Sequence, residues 1–157
     1  MIKIVKLTKE LAVKISDQIL ILEKNWAEIG DEPWNIDNLL NDLPLKWDLS
    51  QLALVDNNVV GYLIASLKDN AVYLNKIVVD KSQRNFGIGK KLLKEFLKKS
   101  LKIKINKVIF KVRIDNPAVK FYEKLNFKKK DEIDKSRSDG VESYFYENNI
   151  NEVLQKL

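Results

Sequence analysis

The chain has no cysteine and no histidine, and only five glycines and three prolines among 157 residues. Without cysteine there is no disulfide, no thiolate nucleophile and no thiolate metal site, which suits a cytoplasmic location. Without histidine, Ser-His-Asp catalysis and the usual zinc and non-haem iron ligand sets are excluded, and no metal is expected. Any acid or base must then be Asp, Glu, Lys, Tyr, the N-terminal amine or water. No apolar run approaches the ~18 residues of a membrane span, so no membrane partner is expected. The start, "MIKIVKLTKE", lacks the apolar core and cleavage site of a signal peptide. No repeat, linker or low-complexity tract interrupts the chain, so residues 1–157 are expected to form a single domain.

What is present is 45% apolar and 32% charged, the balance of a globular protein. The net charge of +6 is unevenly spread. From Lys76 to Lys130 eighteen Lys or Arg stand against four acids; from Glu23 to Asp48 seven acids stand against Lys24 and Lys46. Such a division fits a basic half facing a polyanion and an acidic half facing a cation, although solvated surface accounts for it equally well.

Periodicity gives the element order. "IKIVKL" alternates as a first strand. Thr8 caps a helix whose Leu11, Ile15, Ile19, Leu22, Trp26 and Ile29 share a face. A short helix, "NIDNLLND", ends at Pro44. "QLALVD" and "VVGYLIASLK" form a hairpin about "NN", and "AVYLNKIVVD" is the next strand. "IGKKLLKEFLKKSL" turns helical, with Ile88, Leu92, Leu93, Phe96, Leu97 and Leu101 inward. "KVIFKVRI" is a strand, and "PAVKFYEKL" a helix with Asn116 as its cap. Asn126 follows where a left-handed residue is needed. "FKKKDEI" and "VESYFYE" close the sheet around "SRSDG", and "NINEVLQKL" is a helical tail. The expected fold is a mixed α/β (α+β) sheet flanked by helices, in the order β-α-α-β-β-β-α-β-α-β-β.

Two of the five glycines, Gly87 and Gly89, sit at one strand-to-helix junction, "QRNFGIGKKLL". A P-loop would need Ser or Thr after the lysine, and a dinucleotide fingerprint would need glycine at Leu92. What remains, Arg84-x-x-Gly87-x-Gly89, lets an anion approach bare main chain at a helix N-terminus.

With the strand "YLNKIVV" before it and "RIDN" and "PAVKFYEKLNF" after it, this turn resembles the GCN5-related N-acetyltransferase family, over nearly the whole chain and most specifically from Leu74 to Phe127. The resemblance implies a mostly antiparallel sheet and acetyl-CoA as the anionic co-substrate. Its pyrophosphate would lie on the turn, at Arg84, Asn85, Phe86, Gly87, Ile88, Gly89 and Lys90. Main chain at Ile77, Val78 and Val79 would pair with the pantetheine arm, where the strand splays from "KVIFKVRI". Lys90, Lys91, Lys120 and Lys124 are candidates for the outer phosphates. The usual family spacing leaves either Asn116 or Asp115 facing the cofactor.

Without cysteine, direct attack by an amine on the thioester is favoured over an acyl-enzyme route. Backbone N–H groups near Val78 and Val79 would polarise the carbonyl, and Tyr122 is the matching general acid. The strand carboxylate common in the family is replaced by Asn75 and Lys76, so Asp31, Glu32 or a water held near Asn75 must serve as base. Trp26, Glu32 and Trp34 are candidates for binding the acceptor. The expected acceptor is a small primary amine (a polyamine, an amino acid derivative or an amino sugar), with a protein N-terminus or lysine as the rival. A non-catalytic acyl-CoA sensor and a basic nucleic-acid binder are the remaining alternatives. Nucleic acid is disfavoured because all three Trp lie away from the lysines. A monomer or homodimer is expected.

Overall fold

The computed structural model describes residues 1–26 and 33–157. A seven-stranded sheet runs in the order β1-β2-β3-β4-β5-β7-β6. Its strands are β1 (Ile2–Lys6), β2 (Gln51–Val55), β3 (Asn58–Lys68), β4 (Ala71–Val79), β5 (Lys107–Arg113), β6 (Lys129–Asp134) and β7 (Ser143–Asn149). Every neighbouring pair is antiparallel except β4 and β5, which are parallel.

Helices cover both faces. On one lie α1 (Lys9–Lys14), α2 (Ser16–Trp26) and α3 (Ile36–Leu40), whose Ala12, Ile19, Leu22 and Leu39 are buried with Tyr62, Ile64 and Val78. On the other, α5 (Ile88–Lys102), α6 (Ala118–Lys124) and α7 (Ile150–Lys156) enclose a larger core around Leu92, Leu93, Phe96, Phe110 and Tyr146. The inward stripe expected of α5 is the one that is buried, apart from the half-buried Leu101. Among the described residues no helix is long and apolar enough to cross a membrane.

Local chemistry sets most element ends. Thr8 Oγ1 accepts from the Leu11 amide at 3.1 Å and caps α1. Asn35 and Asn38 cap α3 reciprocally, each side chain accepting from the other's amide at 2.9 and 3.0 Å. The hairpin turn falls on Asp56 and Asn57, one residue earlier than the sequence suggests; both have positive φ, as a two-residue primed turn requires. Asn126 takes the left-handed conformation expected of it, φ 66°.

Two helical details differ from expectation. The single helix after Thr8 is interrupted at Ile15, whose φ of −110° and ψ of 18° are not helical, and becomes α1 and α2. A further short helix, α4 (Lys46–Leu49), follows Pro44. Its first residue has a tertiary cause: the buried Lys46 ammonium donates to the main-chain carbonyls of Asn38, Leu39 and Asn41 and to Asn41 Oδ1, at 3.2, 2.6, 2.9 and 2.7 Å. It thereby satisfies the carbonyls left open at the C-terminus of α3.

Two irregularities in the sheet prepare a site. The β3–β4 register slips between Ile64 and Ala65, leaving Asn75 as an extra residue on β4. A one-residue bulge exchanges the faces. Before it Val72 and Leu74 are buried against α5; after it Val78 is buried against α1 and α2. The second irregularity is that β4 and β5 share only the pairs Val72–Val108 and Tyr73–Ile109 before they part.

Candidate active site

Beyond Tyr73 no strand among the described residues pairs with the β5-side edge of β4. The fork opens a groove of about 1030 Å³, lined by Leu74 to Val79 on one side and by Phe110 to Arg113 on the other. Peptide groups on such an edge are open to a ligand's hydrogen bonds, as an unpaired strand edge always is.

The glycine turn closes one part of this groove. Asp80 Oδ1 accepts from the Ser82 amide at 2.9 Å and starts a single 3₁₀ turn, Lys81–Gln83. Arg84 Nε then donates to the Val79 carbonyl at 3.2 Å, tying the turn to the strand end. Asn85 and Gly87 are both left-handed, at φ 72° and 78°, which curls the main chain ahead of α5. The first α-helical bond runs from Lys91 N to Gly87 O at 3.0 Å. The amides of Ile88, Gly89 and Lys90 therefore precede any intrahelical partner, at the positive end of the helix dipole.

The two glycines have different jobs. Gly87 needs its positive φ, and a Cβ built there meets nothing within 4 Å. Gly89 has no such φ; its Cβ would lie 3.0 Å from Phe121 Cζ. Its small size therefore serves the approach of α6 to α5, a packing reason beside the anion-approach one read from the motif. Arg84, Asn85, Gly87, Ile88, Gly89 and Lys90 line the groove, with Lys120 and Lys124 from α6. Lys91 is exposed, and Phe86, 65% exposed, turns away from the groove wall.

Asn116 and Asp115 take different positions relative to the groove. Asn116 is 8% exposed, borders the groove, and its Oδ1 accepts from the Ala118 amide at 2.8 Å, capping α6. Asp115 is outside the groove, where the Arg113 guanidinium, 2.8 Å away, holds its carboxyl below the usual range. Tyr122 reaches the groove from α6 while 96% of it is covered. Its ring lies 4.6 Å from Phe110, 5.3 Å from Phe121 and 5.7 Å from both Phe127 and Tyr146. Packing and groove access thus coexist, because the ring is held on its faces and edges by other aromatics.

The groove continues to Trp34, Asn75 and Lys76, to Asp134 at the end of β6, and to Ser136, Arg137, Ser138 and Asp139 of the β6–β7 connection. Asn75, the bulged residue, accepts from Ser66 Oγ through Oδ1 at 2.8 Å. Asp31 and Glu32 lie outside the described residues, as does the side chain of Trp26. Three groups here escape a reading of the sequence. Glu23, fully buried on α2, meets Lys76 Nζ at 2.8 Å, accepts from the Trp34 amide at 3.2 Å and accepts from the Tyr62 hydroxyl. Lys111 pairs with Asp134 at 2.7 Å. Burial pushes the Tyr73 phenol above its ordinary range, with the Lys111 ammonium pulling the other way and Asp134 adding to the rise. The one local clue to Glu23 is an acid set on the apolar stripe of Ile19, Leu22 and Trp26.

The family model for acetyltransferases of the GNAT family matches residues 18–127. An N-alpha-acetyltransferase of Saccharolobus solfataricus is 34% identical over 108 residues, covering 59% of this chain and 64% of that protein. The chain thus spans under two thirds of that relative's length. Among solved structures, the ribosomal-protein-S18-alanine N-acetyltransferase of Escherichia coli superposes with a TM-score of 0.77 at 19% identity, over 96% of this chain and 94% of its own. Arabidopsis thaliana Naa50, in complex with the bisubstrate analogue CoA-Ac-MVNAL, gives 0.75 at 20% identity, over 94% and 98%. The forked strands, the left-handed turn and the helix that follows it lie within or beside the matched segment, and the chain belongs to the acetyltransferase (GNAT) family.

Proposed function

We propose that this protein transfers an acetyl group from acetyl-CoA directly to the α-amine of a peptide or protein N-terminus. The observation that carries the reading is one continuous groove joining an anion-ready helix start, an unpaired strand edge and a second set of polar walls around Trp34. Such a groove accommodates two substrates end to end, which a single-displacement transfer requires.

The amides of Ile88, Gly89 and Lys90 suit a pyrophosphate, and Lys90, Lys120 and Lys124 supply positive charge around it. Main chain from Ile77 to Val79 suits the amide-bearing pantetheine arm. Bound there, acetyl-CoA supplies the acetyl group and a thiolate leaving group. Amides near Val78 and Val79 polarise the thioester carbonyl. Tyr122 donates the proton that the departing sulfur needs, and its aromatic packing holds the hydroxyl in place without a conformational search. Asn75, fixed by Ser66, is suited to hold a water that takes the proton of the incoming amine; Asp31 and Glu32 remain candidates for that task.

The sequence alone favoured a small primary amine, with a protein N-terminus as the rival. The preference changes because two relatives in sequence are named N-alpha-acetyltransferases and a structural neighbour is named for a ribosomal protein's alanine, against one neighbour named for the small molecule streptothricin, and because the groove extends past the fork. The test is a CoA-release assay with peptides bearing free or blocked α-amines, beside polyamines and amino sugars. Release with free-amine peptides alone is the expected result. Release with small amines alone would overturn the acceptor assignment, and tight acetyl-CoA binding without release to any acceptor would mark a sensor.

A further inference from the structure

Glu23 is the most completely buried acid among the described residues, and it is no part of the chemistry above. Its side chain is 1% exposed and that of Lys76 12%. Lys76 borders the groove; Glu23 stands behind it and does not. From α2 the carboxylate gathers partners from three places: Lys76 on β4 immediately after the bulge, Tyr62 on β3, and the Trp34 amide ahead of α3. Burial and the adjacent Glu23 carboxylate both push the Tyr62 phenol far up, so it stays a hydrogen-bond donor.

Burying an ion pair is a poor way to gain stability. Desolvation offsets the attraction, and an apolar pair of similar volume is often as stable. The arrangement is more informative as geometry. Trp34, ahead of α3, and Lys76, on β4, face the groove from its two sides, and both are tied to the same carboxylate, Trp34 through its main-chain amide. The Lys76 ammonium also lies 6.0 Å from the Trp34 ring, within cation–π range.

We propose that Glu23 is a positioning residue for the acceptor: by holding Lys76 and the Trp34 main chain together, it sets the acceptor wall against β4 without touching either substrate. This rests on the acetyltransferase reading and deepens it. It separates the two ends of the groove, because the partners of Glu23 described above, Lys76, Tyr62 and the Trp34 amide, all lie outside the glycine turn. Loss of the anchor should weaken the acceptor and spare acetyl-CoA.

The test is the pair Glu23→Leu/Lys76→Met, which removes the network without leaving a charge unpaired. The variant should melt cooperatively and bind acetyl-CoA with affinity within about twofold of the parent. The KM for a free-amine peptide should rise about tenfold to a hundredfold, the scale of one or two lost buried hydrogen bonds. Hydrogen exchange at the Trp34 amide should quicken, a change that loss of general stability would not confine to that site. Lys76→Arg, which keeps the pair, should hold KM within about threefold. If the double variant does not fold, Glu23→Gln, which keeps the shape but strands Lys76, is read by the same assays. Unchanged peptide KM in an active enzyme would overturn this inference alone. Acetyl-CoA binding by the parent without release to any peptide would overturn the peptide-acceptor reading and the positioning role together.

Discussion

The glycine-turn end of the groove and the Trp34 end are built on opposite plans. At the first, the ligand-facing groups are main-chain amides, presented by a left-handed turn and by the start of α5, all within residues 84 to 90. At the second, they are side chains of Trp34, β4 and the β6–β7 connection, backed by groups of α2 and β3, with Glu23 and Lys76 lying 53 residues apart. A site made of main chain tolerates any side chain that permits the conformation, so its signature is short and local. One made of side chains depends on every element that carries them.

Tyr122 stands where the two plans meet, and breaking it should have the largest effect. Tyr122→Phe keeps the ring and its four aromatic contacts, so acetyl-CoA binding should hold. Loss of a placed proton donor typically lowers kcat by ~10²–10⁴-fold. Single-turnover kinetics would check this; an unchanged chemical step would return the tyrosine to packing.

Lys46 probes the side-chain plan through stability. Lys46→Met leaves three main-chain carbonyls at the end of α3 without their donor, in a position of no exposure. A cost of about 2–3 kcal/mol is expected at the usual penalty for unsatisfied buried groups, measured by urea unfolding. Burial pulls the Lys46 ammonium down to about 8 from 10.5. Between those values the unfolded chain holds more protons than the folded one, so this group's contribution to stability rises with pH. Wild type should therefore gain on Lys46→Met as pH climbs through that window. A constant difference between their melting curves would show that Lys46 does not titrate there.

The smallest effect sharpens the main-chain plan. Gly89→Ala places a methyl 3.0 Å from the Phe121 ring, an overpacking of about 1–3 kcal/mol. Adding Phe121→Leu should recover most of that loss while acetyl-CoA affinity stays within reach of the parent. If affinity falls with Gly89→Ala and is not recovered, the glycine serves the anion directly and the packing explanation fails.

Much of the fold was legible because its determinants are periodic or local. The inward stripe of α5, the Thr8 cap, the left-handed Asn126 and the Arg84–Gly89 turn each follow from a few neighbouring residues. The single helix drawn across residues 8 to 29 was not, because Ile15 keeps helical spacing in sequence while leaving helical φ/ψ. Nor was α4, which begins at a lysine whose partners lie five to eight residues earlier. Glu23 was hidden for the same reason: only folding brings a helix acid to the strand position that has no carboxylate of its own.

By itself the sequence determined the succession of the seven strands, the absence of cysteine and histidine chemistry, and the turn through which the family is recognisable, since backbone conformation at a glycine or cap answers to its neighbours. The tertiary structure alone decided where β4 parts from β5 and which face each residue takes after the Asn75 bulge. It also decided that Glu23, Trp34, Tyr62 and Lys76 meet, because burial and long-range pairing are properties of the packed chain and not of any segment of it.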